Sequence, residues 1–138
     1  MRNLWIVPAI ALALCGAAPA DVTPPSQPQI AAVTQALVGV WQSIDDTRFS
    51  REFRADGTAI DRYDGDPDGS QSGAWLLFAG GAPPPELVGH RTFVAKGVYL
   101  EIRENGDTML FGITAVGRSA LQMINIDRGN TLSFNRIQ

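Results

Sequence analysis

The amino-acid sequence predicts an all-β fold: an antiparallel up-and-down β-barrel of about 8–10 strands with a short N-terminal helix. Three observations carry that expectation. Short segments in which apolar and polar residues alternate follow one another from Val38 to Ile137, the pattern of sheets with one buried face. Between them stand turn dipeptides and tripeptides, Asp56-Gly57, Lys96-Gly97, Asn105-Gly106, Gly117-Arg118 and Arg128-Gly129-Asn130, which supply the positive φ angles of tight hairpins. After Leu37 no helical periodicity intervenes, so a parallel βαβ arrangement has no crossover helix to use.

Taken from the N-terminus, the first residues belong to a different class of segment. Arg2 precedes an apolar run from Leu4 to Leu14, and small residues then lead to Ala18-Pro19-Ala20. This is the layout of a secretory signal peptide cut after residue 20, and the run is too short to serve as a membrane anchor. Leu12-Ala13-Leu14-Cys15-Gly16 gives an alternative, a lipoprotein box in which Cys15 is lipidated, although Leu14 is bulkier than such boxes prefer. The expected location is periplasmic or secreted, with an outer-membrane lipoprotein as the alternative and membrane attachment only through Cys15. If residues 1–20 are removed, no cysteine remains in the 138-residue chain to form a disulfide.

Residues 21–29 carry Pro24, Pro25 and Pro28 among Ser, Thr and Gln, a disordered leader by composition. From Pro28 onward Ile30, Val33 and Leu37 recur at helical spacing, with Gly39 just past the end as a left-handed cap. The predicted domain therefore spans residues 30–138. With 45% hydrophobic and 18% charged residues overall, it suits a single core. Loss of Arg2 leaves one basic residue fewer than the 11 of the full chain against 14 acidic ones. With that acidic balance and no basic cluster to neutralise phosphates, nucleic acid is not an expected partner.

Strands are predicted near Val38 to Ile44, Phe49 to Arg54, Thr58 to Tyr63, Gly73 to Phe78, Arg91 to Ala95, Val98 to Arg103, Thr108 to Val116, Ala120 to Asp127 and Thr131 to Ile137. Phe49, Phe53, Ile60, Val98, Leu100, Ile102, Met109, Phe111, Ile113, Leu132 and Phe134 share one parity within their strands and should face inward. Ser50, Glu52, Asp61, Glu101 and Arg103 fall on the other. In the segment from Ala120 the parity slips, since Leu121 and Met123 oppose Ile124 and Ile126, and a bulge there would account for it.

Residues 38–137 resemble the bacterial lipocalin-like branch of the calycin superfamily. The resemblance rests on Gly39 and Trp41, a Gly-x-Trp at the start of the first strand, and on Arg136 in the closing Phe134-Asn135-Arg136. It implies a lipocalin-like barrel in which the arginine lies across the tryptophan and closes one end under the N-terminal helix. Gly39, Trp41 and Arg136 would then form a structural latch rather than a ligand site.

Arg51 and Arg62 are the polar residues that parity places inside, whether the Asp56-Gly57 turn holds two residues or the four from Arg54 to Gly57. Buried guanidinium groups need a partner. With no acidic residue expected on the same face, an anionic ligand group such as a fatty-acid carboxylate could supply it, with Phe53 and Phe111 as apolar walls; the alternative is that both side chains reach water at the barrel mouth. Asp64-Gly65-Asp66-Pro67-Asp68-Gly69 matches the opening of a calcium loop, although Trp75 stands where its closing glutamate belongs. Asp64, Asp66 and Asp68 are thus candidate metal ligands or an ordinary acidic loop. His90 is the single histidine and has no assignable partner for hydrolysis or metal binding. Asp45-Asp46 lies in a loop, and Gly80 to Pro85 reads as a surface spacer, with docking of a partner as the alternative. The expected function is an exported carrier of a small, largely apolar molecule, with no cofactor. A barrel with a filled interior that binds another envelope protein is the alternative, and a cavity enzyme the third reading. Interior volume separates the first two.

Overall fold

The computed structural model describes residues 24–138; the expected signal peptide, Cys15 and the start of the leader lie outside the described residues. Helix α1, Gln27–Leu37, begins inside the stretch assigned to the leader. Ser26 fixes its start, for the Ser26 hydroxyl accepts from the Gln29 backbone N–H at 3.3 Å and the Gln29 side-chain oxygen accepts from the Ser26 N–H at 2.7 Å. Two otherwise unpaired backbone donors are satisfied reciprocally, which holds a helix too short to persist alone.

Eight strands follow: β1 (Gly39–Ser43), β2 (Phe49–Phe53), β3 (Thr58–Tyr63), β4 (Asp66–Ala79), β5 (Val98–Glu104), β6 (Asp107–Val116), β7 (Ala120–Asn125) and β8 (Thr131–Arg136). Each pairs antiparallel with its sequence neighbour, and β1 pairs β8 through Trp41 opposite Arg136, so the sheet closes into a barrel. The all-β, up-and-down architecture with one N-terminal helix is as the sequence predicts.

The expected strand from Arg91 to Ala95 is not one. β4 and β5 pair directly, Ala79 opposite Val98, and residues 80–97 leave the sheet as an external excursion with a single 3₁₀ turn at Pro85–Leu87. Phe93 anchors that excursion against the outer barrel wall, edge-on to Phe78 and Tyr99 with ring centroids 5.2 and 4.8 Å away. The outer faces of β4, β5 and β6 thus carry a second apolar layer of Phe78, Tyr99 and Leu110, which Leu87, Phe93 and Ile126 cover. Ile126 turns away from the interior for that reason, and Ile124 shares its parity, with no slip in β7 itself. The register shift lies in its partner β6, between Ile113 and Ala115.

A second correction concerns β3. The Arg54 N–H donates to Thr58 O at 2.9 Å and the Gly57 N–H to Arg54 O at 3.0 Å, with Gly57 at φ +90°. This hairpin has three loop residues, Ala55 to Gly57, closed by a glycine bulge. An odd loop places Arg51 opposite Asp61 and Glu52 opposite Ile60. Ala59 and Asp61 therefore face inward, while Ile60 and Arg62 face outward, the reverse of the expected parity.

The barrel has a closed and an open end. At the closed end Leu37, Trp41, Phe53, Trp75, Leu100, Ile102, Leu121 and Met123 form the buried core, which Phe111 and Phe134 continue toward the open half. The Trp41 indole N–H donates to Leu37 O at 2.8 Å. The Arg136 guanidinium carbon lies 4.2 Å from the Trp41 ring centroid, and its nitrogens donate to Ala36 O, Val38 O and Arg118 O at 2.6, 2.8 and 2.6 Å. Gly39 does not form the expected left-handed helix cap. It is the first residue of β1, at φ +143°, and a Cβ there would strike Arg136 Nη1 and come within 2.6 Å of Gln138 O. Only glycine allows Arg136 this approach.

Candidate functional site

Opposite the latch, between the open ends of the strands, lies a cavity of about 640 Å³ that communicates with solvent. Phe49, Met109, Phe111, Leu132 and Phe134 form its apolar lining. Polar side chains make up the rest of the wall, and three of them are buried: Arg51 from β2, Asp61 from β3 and Glu104 from β5 are 5%, 9% and 4% exposed.

Arg51 and Asp61 form a two-pronged ion pair, Nε to Oδ1 at 2.6 Å and Nη2 to Oδ2 at 2.7 Å, the geometry in which a planar guanidinium and a carboxylate match best. The Phe49 and Phe111 rings flank the guanidinium, with centroids 5.4 and 5.3 Å from its carbon. The cation therefore has both a charge partner and π-faces in a site otherwise hostile to it. This overturns the expectation that Arg51 lacks an acidic neighbour. The three-residue hairpin supplies one by bringing Asp61 inside.

Glu104 is the last residue of β5 before the Asn105-Gly106 turn, in which Asn105 at φ 51° and Gly106 at φ +85° make a tight two-residue reversal to Asp107. Its side chain lies over Gly73, where a Cβ would come within 2.6 Å of Glu104 Cγ. Burial, followed by the Asp61 charge and opposed by Arg51, pushes the Glu104 carboxyl up to about 6. Its Oε1 atom is buried without a hydrogen-bond partner in the protein.

A testable consequence follows from that carboxyl. Because its folded-state pKa lies above the ordinary 4.5, the protonated form is favoured by folding, and the associated stability is present below 4.5 and lost as pH rises through about 6. Glu104→Gln should match the parent in acid and exceed it by about 2 kcal/mol at neutral pH. Urea unfolding of both proteins across this range measures the difference; a flat difference would mean that water already solvates the carboxylate.

The other residues singled out from sequence are dispersed. Arg62 is on the outer wall, its Nη1 2.8 Å from Glu52 Oε1, and Arg54 binds the other oxygen of the same carboxylate at 2.8 Å. The Arg54 and Arg62 guanidiniums hold Glu52 below the usual carboxylate range. Phe111 lines the cavity, whereas Phe53 is in the closed-end core against Trp75, ring centroids 5.1 Å apart. Asp64 and Gly65 form the β3–β4 turn and Asp66 and Asp68 belong to β4. Among the described residues no three His, Cys, Asp or Glu side chains are grouped as a metal site.

Asp61 and Glu104 are the site residues that the sequence reading missed. Glu104 was within reach of it, for Leu100, Ile102 and Glu104 share one parity and the predicted strand stopped one residue short. Protein-family models, curated proteins and solved structures were compared with the chain, and none matches it.

Proposed function

We propose that this chain is an exported, lipocalin-like barrel of the calycin kind that holds a small molecule, largely apolar in body, in the open half of its interior. The observation that carries the reading is the cavity of about 640 Å³ left within a closed barrel whose other half is densely filled. A pocket of that size, walled by Phe49, Met109, Phe111, Leu132 and Phe134 together with a larger number of polar side chains, has the dimensions of a small-molecule site. The Gly39, Trp41 and Arg136 arrangement supports the calycin assignment, and the layout of residues 1–20 supports export to the periplasm or medium. The buried, paired state of Arg51 weighs against the anionic ligand that the sequence alone suggested. It leaves the apolar part of that expectation in place.

The neutral fluorophore N-phenylnaphthylamine tests the reading. The parent protein should enhance its emission saturably. Replacing Met109 and Leu132 together with Trp should abolish the enhancement while the far-ultraviolet dichroism of the barrel is retained, because two indoles would occupy the wall of the cavity. Undiminished enhancement in the doubly substituted protein would place the probe elsewhere and remove the proposal.

A further inference from the structure

Resting on the reading of the cavity as a ligand site, the geometry points further, to the charge of the ligand: we propose that it carries a protonated amine, received by Glu104 Oε1. Three observations converge. First, Glu104 is 4% exposed, yet its Oε1 has no partner in the protein while its side chain lines the cavity. A buried acceptor without a donor is uncommon, and a ligand donor would complete it. Second, the cation already inside is committed. Arg51 presents Nε and Nη2, the fork that suits a carboxylate, to Asp61, and Phe49 and Phe111 flank it. The Arg51 charge is thus already balanced, and an incoming carboxylate could meet only the remaining Nη1 donors, beside the Asp61 charge.

Third, the charges that face the cavity are unequal. Asp61, Glu104, Asp107 and Asp127 line it against Arg51 and Arg128, and Arg91 engages Asp127 from outside the cavity. The surplus lies at the wall, where Asp61 and Glu104 face Arg51 alone; at the mouth Asp107 and Asp127 are offset by Arg128 and Arg91, so a cation is drawn toward Glu104. Arg51 and Asp61 then act as positioning residues. Their pair holds the Asp61 charge beside Glu104 and balances the guanidinium. The apolar body of the ligand would lie toward Phe111, Leu132 and Phe134.

Calorimetry with octylamine, octanol and octanoate at neutral pH tests this without any substitution, since the three share one apolar body. Octylamine should bind about tenfold or more tightly than octanol, and octanoate more weakly than either. Glu104→Gln should bring octylamine down to the affinity of octanol and leave octanol unchanged. Asp107→Asn, which removes a mouth charge only, should preserve most of the preference. Equal binding of octylamine and octanol, tighter binding of octanoate, or a preference that survives Glu104→Gln would each overturn the proposal while leaving the cavity as a ligand site. If no octyl compound binds but N-phenylnaphthylamine does, the outcome is the same. If neither class of probe binds, the reading of the cavity falls and the amine proposal falls with it.

Discussion

Asp61→Ala should destabilise the barrel by about 3–5 kcal/mol, the cost of leaving one member of a buried ion pair without its partner. Arg51 is 5% exposed, and its two hydrogen bonds, 2.6 and 2.7 Å, are both to Asp61. Once the carboxylate is gone, neither flanking phenylalanine can replace it, for a π-face offers a cation far less than a matched carboxylate does. The informative comparison is the double replacement of Arg51 by Met and Asp61 by Leu. Removing both charges eliminates their desolvation cost together with their attraction, so the doubly substituted barrel should recover most of the loss and could exceed the parent. Urea unfolding of the two single variants and the double variant gives the coupling directly. Recovery would indicate that the pair is kept for what it does to the cavity. A loss below about 1 kcal/mol in Asp61→Ala would mean that water reaches the guanidinium.

Arg136→Met carries the second large effect, a loss of about 3 kcal/mol. The substitution keeps an unbranched side chain over Trp41 but withdraws donors from Ala36 O, Val38 O and Arg118 O. Two of those carbonyls belong to the end of α1 and the step into β1, so the damage should be local before it is global. Hydrogen exchange should show the amides of α1 losing protection ahead of those in β5 and β6. Arg136→Lys should not restore it. An ammonium is one point charge, and the three carbonyls lie in the spread that a planar guanidinium spans. Equal protection of α1 in parent and Arg136→Met would show that packing of Val33 and Leu37 alone holds the helix.

What could be read from the residues divides along a physical line. Alternation and turn chemistry act within a few residues, and they placed seven of the eight strands closely together with the inward set from Phe49 to Phe134, Ile60 excepted. The parity of β3 depends on how many residues the β2–β3 hairpin holds. Asp56-Gly57 is compatible with an even or an odd loop, and one residue separates an interior with Arg62 from an interior with Asp61. Phe93 misled for another reason. Thr92, Phe93 and Val94 are residue types that favour strands, but the aromatic side chain is used on an outer layer that local propensity does not reveal. The size of the cavity was beyond reach because it is a difference between barrel dimensions and summed side-chain volumes, and neither is a local property.

The β3–β4 hairpin has a bearing on how this barrel keeps to itself. β4 begins at Asp66, but its ladder with β5 starts only at Gly73 opposite Glu104, and opposite β3 the register breaks between Tyr63–Asp66 and Asp61–Gln71. The arm from Asp66 to Ser72 therefore projects past the mouth with main-chain groups on one side unclaimed by β5, a place where a foreign strand could try to dock. Asp66, Pro67 and Asp68 stand there. A proline offers no amide hydrogen, neighbouring carboxylates repel a similar arm from a second molecule, and the irregular register denies a flat template. The acidic motif, the proline and the broken register together make this arm a poor template for sheet extension.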